Sequence, residues 1–222
     1  MSAESQQLGG VHVVVTAGGT REPIDPVRYL GNHSSGKMGN AIAVAALQAG
    51  ARVTLITAAA PPAANGGMRV IAVETSEEML AAVLDVVRDA RVLVMAAAVA
   101  DHKPERVSEV KLKKSADGWT LRLVPTQDIL TAVGQLPERA ALFVVGFAAE
   151  TDDPVSNAQA KLRQKRLDLI VLNDVSRPGI GMGADDNEVA VIDAAGVVEV
   201  IERARKSAVA ARLVDLIAER ME

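Results

Sequence analysis

Residues 16–39, TAGGTREPIDPVRYLGNHSSGKMG, gather two glycine turns and the polar side chains Arg21, Arg28, Asn32 and His33 into one connection. Gly18 and Gly19 would let backbone N–H groups approach an anion with no side chain in the way. Ser34, Ser35 and Gly36 read as a helix N-cap region, where unpaired amides and the helix dipole favour phosphate. A plain tight turn explains the two glycines alone equally well. The segment has neither G-x-x-x-x-G-K-[ST] nor G-x-G-x-x-G, so it departs from both common nucleotide-binding loops.

Cations form a second set. Lys111 and Lys113 stand two apart on a predicted strand and share a face. Lys161 and Lys165 stand four apart on a predicted helix, where like charges cost about 0.2–0.5 kcal/mol unless an anion reverses the sign. A solvated surface is the competing reading of each pair. Asp101 follows a buried strand ending in the small run Ala96–Ala98. In open α/β sheets that edge binds ligands. Asp101 could take a ribose hydroxyl or Mg²⁺, or simply cap a turn, and Asn173-Asp174 carries the same ambiguity. Phe147 could face a base or belong to the core. His12, His33 and His102 lack metal-ligand spacing. His12 reads as structural, and His33 is the histidine to test for function.

The elements that must position these groups follow from periodicity. Strands are expected at Val11–Thr16, Arg52–Thr57, Arg69–Val73, Val92–Ala96, Leu142–Phe147 and Leu167–Leu172. Helices are expected at Gly36–Ala49, from an N-cap at Ser76 to about Ala90, at Gln127–Gly134, Asp153–Arg166 and Lys206–Glu219. Two hairpins are expected, Val110–Lys113 with Trp119–Val124 and Glu188–Ile192 with Val197–Ile201, with Ser176–Asn187 as a long loop between. This alternation implies an α/β fold with a doubly wound, mostly parallel sheet and inserted β-hairpins. Residues 1–10 are expected to be a disordered or linker segment, and 11–222 one domain.

The chain has 222 residues, 49% of them hydrophobic but only 2% aromatic, so the core must be aliphatic. Four aromatics and a formal charge of -4 argue against nucleic acid as a partner. With no cysteine, disulfides, thiolate metal sites and a cysteine nucleophile are excluded. No apolar run is long enough for a membrane span and the N-terminus has no signal-peptide pattern. A cytoplasmic location is therefore expected.

Taken in order, TAGGTREPIDPVRYLGNHSSGKMG, AAAVADHKP, KLKK, VVGFAAET and LDLIVLNDVS closely resemble the phosphopantothenoylcysteine synthetase domain family, from about Val11 to the end. In most bacteria this domain is fused to a phosphopantothenoylcysteine decarboxylase, which holds FMN and is absent from this chain. The resemblance implies a ligase of coenzyme A biosynthesis that uses CTP with Mg²⁺. 4′-Phosphopantothenate becomes an acyl-cytidylate with loss of pyrophosphate, and L-cysteine then displaces CMP.

By matching motif, Asn32 would orient the acyl intermediate and Lys111 would meet nucleotide phosphates. Asp101, Phe147, Lys161 and Lys165 would contact CTP, as would Gln127, Asp128, Ile129 and Leu130, where the family's turn carries a proline that Gln127 replaces. Ala96, Ala97 and Ala98 would bring backbone groups against substrate, and Arg28 would take the pantothenate phosphate. The family is a homodimer with inserted β elements pairing across the two-fold, which makes a loop supplied by the partner an expectation here. The rival readings are a nicotinamide- or flavin-dependent oxidoreductase, for which the dinucleotide fingerprint is missing, and a nucleotide sensor that releases no pyrophosphate.

Overall fold

The computed structural model describes residues 7–63, 66–114, 118–150, 153–174 and 183–221. Its centre is an eight-stranded sheet. Six strands are parallel: β1 (His12–Ala17), β4 (Arg52–Thr57), β5 (Arg69–Ala72), β6 (Val92–Met95), β9 (Phe143–Glu150) and β10 (Leu169–Asp174). Antiparallel β11 (Asp186–Ile192) and β12 (Val197–Arg205) extend one edge, giving the order β12-β11-β10-β9-β6-β1-β4-β5. The chain steps outward from β1 to β5, then returns to the other side of β1 with β6. The crevice between β1 and β6 is therefore the switch point where such folds take ligands.

Side chains along these strands divide by the period of two. Val13 and Val15 join one core layer with Val92, Val94, Leu169 and Val171, while Val14, Leu93, Met95, Ile170 and Leu172 join the other. The first layer packs under α1 (Lys37–Gln48) and α5 (Lys206–Met221). The second packs under α2 (Ser76–Val86), α3 (Ile129–Gly134) and α4 (Pro154–Gln164). Strands buried on both faces need continuous aliphatic runs, which is why they are legible without aromatics.

Several expectations change. The hairpin at β11 and β12 is present, but it extends the main sheet and is longer than the apolar pattern suggests. The other is displaced. Val110–Lys113 is not a strand; instead β7 (His102–Pro104) pairs antiparallel with β8 (Leu123–Pro125), and residues 115–117 of its expected turn lie outside the described residues. A ribbon of β2 (Arg21–Pro23) and β3 (Tyr29–Gly31) occupies what the sequence suggests is loop. It is anchored by buried Glu22, whose carboxylate accepts the Ser76 N–H at 2.9 Å on the first turn of α2.

The N-cap of α2 is Thr75, one residue before the expected Ser76, in a reciprocal capping box with Glu78. Residues 7–10 form a turn rather than a linker, with Leu8 in the core and its N–H on Ala49 O at 3.0 Å. Residues 1–6 and most of the loop 176–187 lie outside the described residues. His12 is structural as expected, its ring bonded to Asp89 O at 3.1 Å and Thr54 Oγ1 at 2.9 Å. Among the described residues no helix is long and apolar enough to cross a membrane.

Candidate functional site

The loops that follow β1 and β6 are joined by hydrogen bonds. Ala98 N donates to Gly18 O at 2.8 Å and Thr20 N to Ala98 O at 3.2 Å. The Thr16 hydroxyl accepts from Ala97 N at 3.1 Å, and the Thr20 hydroxyl accepts from Ala100 N at 2.9 Å. Gly19 is needed where the next loop crosses, because a Cβ there would lie 2.7 Å from Asn32 O. This close approach sets Asn32 over the β6 loop, with its amide donating to Ala98 O at 3.2 Å and Val99 O at 3.4 Å.

Beside this seam lies a cavity of about 500 Å³. Its walls come from Ser34–Gly39, Met95–Asp101, Thr126–Leu130, Phe147, Ala148, Lys161 and Lys165, with Asn173, Asn187 and Lys206 closing one side. The cavity thus spans the sheet edge, from α3 and α4 on one face to α1 and α5 on the other. Its two ends differ chemically. At the α3 end, the Asp128 carboxylate caps the helix by accepting Thr131 N–H at 2.7 Å and pairs with Lys165 at 2.5 Å. Burial pushes this carboxyl up, but the Lys165 ammonium and the Thr131 donors prevail and hold it below the usual carboxylate range. At the α1 end the N-cap is Gly36, at φ 76°, and no side chain caps the helix. Its first amides lie on the cavity wall with Lys37 and Lys206.

The structure brings together most of the residues singled out from sequence. Ser34, Ser35, Gly36, Ala96–Ala98, Asp101, Gln127–Leu130, Phe147, Lys161 and Lys165 all line the one cavity. Asn32 stands at its rim through its bonds to the β6 loop. One expectation is corrected and two gain detail. Gly18 and Gly19 stand beside the cavity lining, and a Cβ at either would lie 2.7 Å from backbone, from Ala59 N at Gly18 and from Asn32 O at Gly19. Ser34 and Ser35 line the cavity without capping α1. The N–H groups of Ala97 and Ala98 and the carbonyl of Ala98 are already committed within the seam.

Arg28 and Lys111 are placed elsewhere. They share a second hollow with Leu112, Lys113, Lys114, Gly118 and Trp119. Arg28 donates to Leu112 O at 2.6 Å, pairs with buried Asp25 at 2.9 Å and lies 4.1 Å over the Trp119 ring. Asp25 also accepts Leu112 N–H at 3.1 Å, so this pair grips the backbone of Leu112 on both sides, next to Lys111.

Sequence reasoning missed Lys37, Asn187 and Lys206. Lys37 lay in plain view in SSGKMG, whereas Asn187 and Lys206 border β11 and open α5, elements remote in sequence from every motif. Among the described residues no group of three metal-ligating side chains converges.

Comparison with known proteins gives the family and the fold. The family model of the DNA/pantothenate metabolism flavoprotein C-terminal domain matches residues 8–221. The coenzyme A biosynthesis bifunctional protein CoaBC of Vibrio cholerae is 43% identical over 216 residues, covering 96% of this chain and 54% of that protein. The chain spans about half the length of the curated relatives it matches. The crystal structure of a CoaBC C-terminal domain superposes with a TM-score of 0.78 at 36% identity, covering 98% of each chain. A Cab2 mutant in complex with phosphopantothenate-cysteine, at 16% identity, shares the fold with a TM-score of 0.77 over 95% of this chain and 87% of its own.

Proposed function

This chain belongs to the DNA/pantothenate metabolism flavoprotein C-terminal domain family, and on that footing we propose that it is a phosphopantothenate–cysteine ligase of coenzyme A biosynthesis driven by CTP. The observation that carries this reading is the cavity at the switch point, with a carboxylate-capped helix at one end and an uncapped helix N-terminus flanked by lysines at the other. A nucleoside triphosphate matches that polarity. The Asp128 carboxylate suits the hydroxyl and amino donors of a nucleoside, and the α1 end suits phosphates.

In the first half-reaction a carboxylate oxygen of 4′-phosphopantothenate bonds to the α-phosphorus of CTP. The bond from that phosphorus to the bridging oxygen breaks, and pyrophosphate leaves with the electron pair. In the second, the cysteine amine bonds to the acyl carbon, the bond to the cytidylate oxygen breaks and a proton leaves the nitrogen, giving CMP and phosphopantothenoylcysteine. Two polyanions meet, so fixed positive charge should supply much of the rate. Lys161 and Lys165 supply it from α4, while Phe147 and the 127–130 turn bound the nucleoside. Asn32 holds the acyl group against the β6 loop for the amine's approach. Mg²⁺ would neutralise phosphate charge; the triphosphate would carry it, with Asp101 the carboxylate on the cavity wall able to meet it. FMN belongs with the decarboxylase half of the bifunctional relatives.

Lys111 and Arg28, on the second hollow, act on the cavity of a second copy in a homodimer. Exposed Val27, Tyr29, Val107 and Val110 near them supply the apolar surface for that pairing. The test is pyrophosphate release from CTP or ATP with 4′-phosphopantothenate, Mg²⁺ and cysteine. Asn32→Ala should release pyrophosphate and accumulate the cytidylate, and Lys111→Gln should slow the first half-reaction. Absence of any pyrophosphate release with CTP, alongside tight NAD(P)H binding, would turn the reading to an oxidoreductase.

A further inference from the structure

We propose that Lys206, with Lys37 beside it, binds the terminal phosphates of the nucleotide and the pyrophosphate that departs, making the α1–α5 end of the cavity a polyphosphate subsite. This rests on the nucleotide-dependent reading of the cavity. Lys206 opens α5 and is 7% exposed, yet it lines the cavity. Its ammonium donates to Ala184 O at 2.6 Å, and its backbone N–H donates to Asp185 O at 3.0 Å. Lys37, on the first turn of α1, donates to Gly183 O at 3.1 Å and to Asp185 Oδ1 at 2.6 Å. Two ammonium groups from different helices therefore converge on one three-residue segment at the cavity wall.

An ammonium set this deep costs free energy even when hydrogen-bonded. Burial first, and then the charge of Lys37, hold Lys206 below the ordinary lysine range, with Asp185 acting in the opposite direction. A bridging dianion at this end would offset both effects. One further feature points the same way. The first amides of α1, a twelve-residue helix, lie here with no side-chain cap.

The two ends of the cavity decide which phosphates come here. At the α3 end the Asp128 carboxylate, paired with Lys165, suits the donors of a nucleoside better than the oxygens of a phosphate chain. A triphosphate with its nucleoside at α3 and α4 must extend over the tops of β9 and β6 toward α1. When the bond from the α-phosphorus to the bridging oxygen breaks, negative charge grows on the pyrophosphate, beside Lys206 and Lys37.

Titration calorimetry of the full chain with inorganic pyrophosphate, CTP and CMP tests this. Lys206→Met should weaken pyrophosphate and CTP about ten- to a hundredfold, the span of one hydrogen bond to a charged group, and leave CMP unchanged. Lys206→Arg should restore most of the loss. Lys37→Met, at a more exposed position, should weaken pyrophosphate less, and it carries the test should Lys206→Met not fold. Unchanged pyrophosphate affinity in the folded variants, or an equal loss of CMP affinity, overturns the proposal. If the wild type binds pyrophosphate through Lys206 but forms no cytidylate, the ligase reading fails and the subsite stands. If cytidylate forms but pyrophosphate inhibits Lys206→Met and wild type alike, the ligase reading stands and the subsite fails.

Discussion

A methyl group at Gly19 would meet the Asn32 carbonyl oxygen at 2.7 Å, so this one hydrogen sets the height of the loop that carries Asn32. Gly19→Ala must push that loop away from the β6 segment, stretching bonds of 3.2 and 3.4 Å from Asn32 to Ala98 and Val99. Overpacking of this kind costs about 1–3 kcal/mol. We expect a lowered melting temperature, and a larger fall in product formation than in CTP affinity. Retained turnover with a lowered melting temperature would separate Asn32 from the chemistry. The glycine pair was visible in the sequence, but the backbone that crosses it was not. A glycine that frees amides for a ligand and a glycine that admits a crossing backbone look alike until the crossing strand is placed.

Among the elements, α3 bounds one end of the cavity, and the β2–β3 ribbon borders the second hollow. Asparagine caps a helix about as well as aspartate, so Asp128→Asn isolates the charge shared with Lys165. A carboxyl held below its ordinary 3.8 contributes stability that is complete above that pH and is lost as pH falls through the depressed folded value. Thermal melts should therefore show Asp128→Asn less stable than wild type at pH 7, with the two converging as pH falls through the depressed folded value. A gap that persisted in acid would assign the effect to packing.

On the ribbon, Arg28 stacks 4.1 Å over the sole tryptophan, Trp119. Arg28→Ala should free the segment around Lys111, lower Trp119 fluorescence anisotropy and raise its access to quenchers. Unaltered fluorescence would place the latch elsewhere. The ribbon escaped the sequence because three-residue strands are too short to show a period. The lysine alternation at 110–113 imitated a strand, although side chains from Asp25 and Arg28 satisfy the peptide that a neighbouring strand would otherwise hold.

At the scale of the whole molecule, every strand of the central sheet was legible in place though not in length, because strands buried on both faces must be continuous aliphatic runs and the turns between them need glycine. The apolar groups left exposed around the ribbon, Val27 at 61% and Val110 at 71%, belong in the proposed homodimer. Sedimentation should find a dimer at micromolar concentration, and Val27→Glu should shift it toward monomer with loss of ligase turnover. A fully active wild-type monomer would end that proposal and the shared-site role of Lys111 with it. The sequence alone determined the sheet, the family and most of the cavity lining, since these depend on local periodicity and on contiguous motifs. Tertiary structure alone decided that Lys37 and Lys206 meet at one end of the cavity, and that Arg28 and Lys111 lie apart from it. Those distances depend on how α1 and α5 pack on the sheet and where the ribbon folds, and no local pattern encodes the separation of residues so far apart along the chain.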